Sequence, residues 1–296
     1  MAYEVTTAQK VAYQEGMEHA LQQKKSKLEA TVRVVDQRGK ETAVDRVGTA
    51  KPMKKTTRYP DTPIMPTAFG RRWIMSDTWH WGDLIDDDDK LKLIHDPTSE
   101  LAQAGHMGMQ RTKDDVIIEA AWATVPAGEK STDGSVPFPA GQIIPVDEGA
   151  GATGLTFSKI NLAREMLSEA QVPEEDPRYW VCTEQQITNL LNEDKATNAD
   201  YVTIGAIQNG KFDGTYMGFN WIVVPAAKLP KTTTTRQNLV YTKSSLAICK
   251  PKDVMTRIDL RADKSFATQI YAEMRIGACR LEELGVLQVL VKERGP

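Results

Sequence analysis

The run Thr67-Ala68-Phe69-Gly70-Arg71-Arg72-Trp73-Ile74-Met75-Ser76-Asp77-Thr78-Trp79-His80-Trp81 is dense in aromatic and β-branched side chains, which favour extended chain. Trp73, Met75, Trp79 and Trp81 share one parity, so a single strand through the run places all four on one face. Upstream, Val32, Val34, Thr42, Val44 and Val47 form another β-prone run, and Pro52, Pro60, Pro63 and Pro66 interrupt the chain between the two. This pattern predicts a long two-stranded hairpin with an irregular, proline-rich tip. A lone hairpin of such length is marginal in water, so its apolar face requires another surface to cover it.

Charge divides the neighbourhood of the hairpin. From residue 37 to 75, Arg38, Lys40, Arg46, Lys51, Lys54, Lys55, Arg58, Arg71 and Arg72 oppose only Glu41, Asp45 and Asp61, a net of +6. From residue 83 to 100, Asp83, Asp86, Asp87, Asp88, Asp89, Asp96 and Glu100 oppose Lys90 and Lys92, a net of −5. Opposite charge on adjacent segments suits a hairpin of one subunit resting on the acidic rim of another, a contact that salt weakens. The alternative is that both runs are solvated surface.

Beyond the acidic run, Asp96 is placed to cap a helix and Pro97 to occupy its first position. Leu101, Gly105, Gly108, Met109, Thr112, Val116, Ile117 and Ala120 then recur at helical spacing through Trp122. The prediction is a structural rod of about 25 residues, nearly 40 Å long. Gly105 and Gly108 allow a second backbone to approach it closely. Residues 7–28, rich in Ala, Gln, Glu and Lys, predict a weakly amphipathic helix, either an arm laid on a neighbour or a solvated terminus. Residues 125–154 are loop-rich, with a short strand at 142–146, and helices are expected at 156–171 and 184–192. Strands are expected at 178–183 and 218–225, then at 239–241, 246–249, 254–260, 266–277 and 286–291, with Thr232 to Thr235 as an exposed loop.

The 296 residues are 41% hydrophobic, enough for one large core or two modest ones. A net charge of −3 excludes a binder driven by phosphate neutralisation along the whole chain. Cys182, Cys249 and Cys279 are too dispersed for a disulfide framework or a zinc site and read as reduced, buried thiols. Residues 1–10 do not have the pattern of a secretory signal, and no apolar run approaches the roughly 18 residues of a membrane span. The expectation is a protein made and folded in a cytosol, with no membrane partner.

Chemical motifs are sparse. Asp86 to Asp89 offer carboxylates to a hard cation, but consecutive residues do not converge on one ion without a glycine-containing turn. His80 and His106 belong to no HExxH pair, and neither a nucleophile elbow nor a phosphate loop occurs in the sequence. Trp79 and Trp81 are able to stack nucleobases, but packing under a neighbouring subunit is the simpler account. The chain therefore reads as non-enzymatic, without a catalytic residue, metal or cofactor. A soluble α/β hydrolase with an unread site is the alternative from a different class.

The order of pieces, together with Thr67-Ala68-Phe69-Gly70-Arg71-Arg72-Trp73 before the long helix, resembles the major capsid proteins of tailed bacteriophages with the Hong Kong 97-type fold. Tyr271-Ala272-Glu273-Met274-Arg275-Ile276-Gly277-Ala278-Cys279-Arg280, followed by the apolar strand at 286–291, is similar to the closing strands of that family. The resemblance implies an α+β fold with an N-terminal arm at 1–35, an extended β-hairpin loop at 36–82 and a peripheral domain with a spine helix at 83–172. A central axial domain at 173–237 and strands returning to the peripheral domain at 238–296 complete it. It also implies an icosahedral head of hexamers and pentamers enclosing DNA without sequence-specific binding, in a virion assembled in the bacterial host cytoplasm. A separate scaffold protein, a portal and a decoration protein are the implied partners. A bacterial encapsulin-like compartment shell is the related alternative. The residues expected at subunit contacts are Lys51, Lys54, Lys55, Arg58, Arg71, Arg72 and Trp73 of the hairpin, Trp79 and Trp81 after it, and Asp86, Asp87, Asp88 and Asp89 of the acidic run.

Overall fold

A computed structural model of the chain describes residues 22–37, 39–59, 61–86, 98–148, 151, 153–191 and 215–293. In chain order the elements are β1 (Arg33–Val35), β2 (Glu41–Val47), β3 (Phe69–Met75), β4 (Asp77–Ile85), α1 (Thr98–Trp122), β5 (Val125–Ala127), β6 (Gly134–Val136), β7 (Ile143–Ile144) and α2 (Phe157–Glu169). They continue with β8 (Arg178–Cys182), α3 (Glu184–Leu191), β9 (Thr215–Tyr216), β10 (Phe219–Val223), β11 (Lys231–Thr232), β12 (Thr235–Thr242), β13 (Leu246–Arg261), β14 (Ala267–Arg280) and β15 (Val286–Lys292). The chain divides into two compact units. One comprises Met1–Ser26, Thr78–Thr112 and Lys252–Arg275, and the other Lys27–Asp77, Lys113–Pro251 and Ile276–Pro296.

The larger unit is centred on a sheet ordered β7-β15-β12-β8-β10-β9, with β11 paired to β12. Its central strands read as nearly unbroken apolar runs because both faces are covered, and Trp180, Val181, Leu239, Val240, Leu287 and Val289 are all buried. Ile160, Ala163 and Leu167 of α2 and Ile187 and Leu190 of α3 pack into the same core. Trp180 sits at its middle, stacked on Trp221 at 5.1 Å between ring centroids and edge-on to Phe219 at 5.3 Å.

Two buried charge networks in this unit are fully hydrogen-bonded, which makes their burial tolerable. The Lys159 ammonium donates to the carbonyls of Val146, Thr153, Gly154 and Leu290 at 2.9–3.1 Å, tying the 146–154 loop to β15. Its burial depresses the ammonium to about 8, against the upward pull of Glu148 and Asp147. Glu293 accepts from Arg236 Nε at 2.8 Å, Thr183 Oγ1 at 2.8 Å and Gln186 Nε2 at 3.0 Å.

Helix α1 spans 25 residues, as the periodicity predicts, while its expected caps Asp96 and Pro97 lie outside the described residues. Its buried face differs from the expected one. Met109 and Ile117 are buried as expected, but Asp114, Ile118 and Ala121 are buried in place of Val116 and Ala120, and Lys113 is buried beside them. The cause is a segment remote in sequence: Asp114 Oδ1 accepts from the backbone N–H of Lys27 and of Leu28 at 3.1 Å, and Lys113 pairs with Glu29 at 3.1 Å. Gly105, in the smaller unit, accommodates the Trp81 indole and not a second backbone: a Cβ there would meet the ring at 2.5 Å. The C-terminal end of α1 carries no basic residue of its own. Buried Arg280 of β14 supplies the cation, donating to the carbonyls of Ala121 at 2.7 Å and Ala123 at 3.0 Å and to that of Val136 at 3.2 Å.

Three further expectations are corrected. The run from Trp73 to Trp81 is not one strand: β3 joins the sheet β2-β3-β5-β6, and β4 joins the sheet β1-β13-β14-β4. The chain changes sheet where the backbone of Met75 and Ser76 presses on Gly277, whose missing side chain makes the approach possible. The strands expected at 246–249 and 254–260 are one strand, β13, running through Pro251. Strand β1 ends opposite Cys249, so among the described residues β13 has an open edge beyond it, and an edge accepts a residue with no N–H. The exposed loop expected at Thr232 to Thr235 is present as a tight β11–β12 turn, with Thr232, Thr233 and Thr234 exposed and Thr233 at φ 51°. The helix expected at 7–28 lies outside the described residues as far as Leu21, and 22–28 is not helical.

Candidate subunit interface

Strands β2 and β3 pair antiparallel from Glu41 opposite Met75 to Val47 opposite Phe69, forming the predicted hairpin. The register divides its charges between two faces. Asp45 stands opposite Arg71 on one face, and the Arg71 guanidinium bonds both carboxylate oxygens at 2.5 and 3.2 Å. That pairing holds the Asp45 carboxyl below its ordinary range. Arg72 and Arg46 share the other face and meet Glu283: Arg72 Nη2 lies 2.8 Å from Oε1 and Arg46 Nη1 3.0 Å from Oε2. Arg46 also bonds Glu282. The hairpin root is tied further by Arg72 opposite Ala127 of β5 and by Trp73 Nε1 donating to Gly128 O at 3.1 Å.

Past Val47 and Phe69 the internal cover ends. Gly48 N donates to Ala68 O at 2.7 Å, and between them the described chain holds no helix or strand. Val47, Met53, Tyr59, Ile64 and Phe69 are exposed there, Ile64 to 93%. Lys51, Lys54, Lys55 and Arg58 are exposed on the same tip, with the Arg58 guanidinium 5.5 Å above the Tyr59 ring.

The smaller unit has its own uncovered apolar side chains: Met255, Ile258 and Leu260 on β13, Phe266 after it, and Trp79 and Leu84 on β4. The turn joining β13 to β14 holds both Ser265 and Phe266 at positive φ, 52° and 58°, and is braced by Arg261 bonding Asp263 at 2.5 and 2.6 Å. Asp86 is exposed, while Asp87, Asp88 and Asp89 lie outside the described residues. His80 stacks on Tyr271 at 6.3 Å, and His106 bonds Gln110 at 3.2 Å.

Among the described residues no group of three or more His, Cys, Asp or Glu is arranged to hold a metal ion. All three cysteines are buried thiols outside any disulfide, and burial pushes the Cys279 thiol up to about 12, far from a reactive thiolate. No helix among the described residues is long and apolar enough to cross a membrane. What the surface offers is a hairpin and a strand ribbon with apolar side chains that the described chain leaves in water.

A family model described as phage capsid protein matches residues 5–293. The chain belongs to the phage capsid protein family. Its fold is similar to the capsid of Ralstonia phage GP4, with a TM-score of 0.76 at 11% identity over 100% of this chain and 99% of that one. The cyanophage Pam1 capsid asymmetric unit gives 0.74 at 12% identity over all of both chains. The capsid of cyanophage P-SCSP1u gives 0.69 at 18% identity over 97% of this chain and 94% of that one. No curated protein sequence matches the chain. It is therefore a structural shell subunit of a tailed-phage head with the Hong Kong 97-type fold, not an enzyme, and it assembles with other copies of itself.

The sequence-predicted contact residues of this capsid subunit divide in three, with Asp87, Asp88 and Asp89 outside the described residues. Arg71, Arg72 and Trp73 already have partners within the chain, and Trp81 packs on Gly105. Lys51, Lys54, Lys55, Arg58, Trp79 and Asp86 face solvent. Sequence reasoning missed the apolar tip residues, although Tyr59, Ile64 and Phe69 interleave with the prolines it noted. It also missed Glu282 and Glu283, more than 200 positions from the arginines they bind.

Proposed function

We propose that the hairpin is the clamp between neighbouring subunits of the head, laid by its apolar, basic tip on the acidic stretch 83–100 of the next copy. Uncovered Val47, Met53, Tyr59, Ile64 and Phe69 carry this reading, because a patch of that size costs free energy until another surface buries it. Lys51, Lys54, Lys55 and Arg58 add charge complementarity to Asp86, Asp87, Asp88 and Asp89, which steers the encounter and sets register more than it adds affinity. In this reading 1–35 is an arm, 36–82 the extended loop, 83–172 a peripheral domain and 173–237 an axial domain, with 238–296 returning to the peripheral domain. Hexamers and pentamers of the subunit close an icosahedral head around DNA held by enclosure. A separate scaffold protein, a portal and a decoration protein take part, and assembly proceeds in the host cytoplasm.

Negative-stain electron microscopy of the protein expressed with and without its neighbouring phage genes, at low and high salt, tests the proposal. Closed shells tens of nanometres wide whose yield falls with salt are expected. Compact monomers under every condition overturn the clamp, salt-indifferent shells overturn its charge pairing, and shells filled with an enzyme cargo and no DNA favour a compartment.

A further inference from the structure

We infer that Glu282 and Glu283 form a salt- and acid-sensitive latch that holds the root of the hairpin in one pose against the turn joining β14 to β15. The inference concerns one subunit and goes beyond the clamp reading, since it holds or fails whatever the tip touches.

Arg46 and Arg72 come from adjacent strands of the hairpin and share one face, where they are diagonal neighbours. Two guanidinium groups so placed repel unless an anion lies between them. Glu283 is that anion, giving Oε1 to Arg72 Nε at 3.2 Å and Nη2 at 2.8 Å, and Oε2 to Arg46 Nη1 at 3.0 Å. Glu282 takes the remaining Arg46 nitrogen. Removing the bridging charge therefore both deletes an attraction and leaves a repulsion, so the response is sharper than that of an isolated surface pair. The side chains of Arg72 and Glu283 are only 11% and 15% exposed, which keeps the interaction from being fully screened.

The carboxylates stand on a fixed base. Leu281 N and Glu282 N both donate to Ser245 O, at 2.8 and 3.3 Å, and Thr242 N donates to Gly285 O at 3.1 Å. Gly285 lies so close that a Cβ there would be 1.9 Å from Ser245 Oγ. The base of the hairpin is also held, by buried Ile74 and by Val44 packed with Val125, Cys249, Cys279 and Leu281. Beyond them its ties besides the latch are one register pair to β5, the Trp73 indole hydrogen bond and Arg71 Nη1 donating to Glu129 O at 3.4 Å. When the latch opens, the hairpin beyond Val44 and Ile74 moves, and its packed base and the turn stay.

Burial by itself would raise the Glu283 carboxyl, but Arg72, the residue's own backbone N–H and Arg46 outweigh it and hold the group below its ordinary range. Arg280 and Cys279 of β14 are the other titratable groups facing it, and Arg71, on the opposite face, is occupied by Asp45. A depressed folded value means that the latch is complete above the ordinary glutamate range and is lost as pH falls through the lower folded value.

Hydrogen exchange on the full-length protein, in the form in which it purifies, tests the latch. In Glu282→Gln/Glu283→Gln at neutral pH and low salt, the amides of β2 and β3 are expected to exchange about tenfold faster, with those of β12 and β15 unchanged. Compared as protection factors, which remove the intrinsic pH dependence of exchange, wild type is expected to lose most of this protection at high salt and all of it in acid. The double variant is expected to respond less to both, keeping only the response of the Asp45–Arg71 pair. The exchanged pair Arg72→Glu/Glu283→Arg restores slow exchange if the ion pair is the cause. Unchanged hairpin rates overturn the inference, as does equal acceleration in β12 and β15 or a salt response as large in the variant as in wild type. None of these readings depends on shell formation, so failure of the latch and failure of the clamp are separable.

Discussion

Trp180 and Ile64 are both large apolar residues, yet one is wholly buried and the other 93% exposed. Around Trp180 the chain supplies its own cover: Trp221 and Phe219 across the sheet face, α2 and α3 over them, and apolar strands on either side. Around Ile64 four prolines prevent a regular ladder, and no described element of the chain lies over the tip. Burying an apolar side chain stabilises by a similar amount wherever it occurs. On the clamp proposal the difference is when it is buried: the sheet realises that free energy on folding, and the hairpin retains it for association. A shell subunit needs both, because a hairpin that covered itself would have nothing left with which to close a shell.

Truncating the centre of the sheet breaks the comparison on the folding side most strongly. Trp180→Ala is expected to lose about 3–5 kcal/mol of subunit stability, read as a lower urea midpoint with the slope unchanged. Gly277→Ala comes next. A Cβ at that position lies 2.0 Å from the Met75 carbonyl oxygen, which is backbone and cannot swing away, so a loss of about 3 kcal/mol or an insoluble product is expected. Normal expression and melting of Gly277→Ala would show that the β3–β4 junction relaxes without cost.

Those same residues show how much of the fold the sequence reveals. The hairpin was legible because β-branched runs and prolines act locally, and α1 because its spacing persists over 25 residues. Its buried face was not legible, since Lys113 and Asp114 are turned inward by Glu29, Lys27 and Leu28, which lie 84 to 87 residues away. Charge counting failed for the same reason. Arg46 and Arg72 add to the basic tally of the hairpin, but their charges are answered by Glu282 and Glu283 near the other end of the chain. Only Lys51, Lys54, Lys55 and Arg58 remain as exposed basic groups of the tip, so the legible part of the interface is the part with no tertiary partner.

A subtler test stays within the folded body. Arg280 ends α1 from a distant strand, and Arg280→Met keeps most of its volume while leaving the carbonyls of Ala121, Ala123 and Val136 without that donor. A loss of about 2 kcal/mol is expected by urea unfolding. A neutral result would mean that water reaches the helix end and satisfies those carbonyls instead.

The smallest stability change is expected where the change in function is large. Tyr59→Ser and Ile64→Ser together remove two exposed apolar side chains from the tip, so subunit unfolding should shift by no more than about 0.5 kcal/mol. Shell yield, measured by sedimentation under assembly conditions, should fall sharply, because the burial those side chains gain comes only from another copy. If the double variant unfolds at a markedly lower urea concentration, the tip is covered within the subunit and the division between folding and association energy fails. If stability and shell yield are both unchanged, the clamp must be carried by the lysines, and charge reversal at Lys54 and Lys55 should then abolish assembly at low salt.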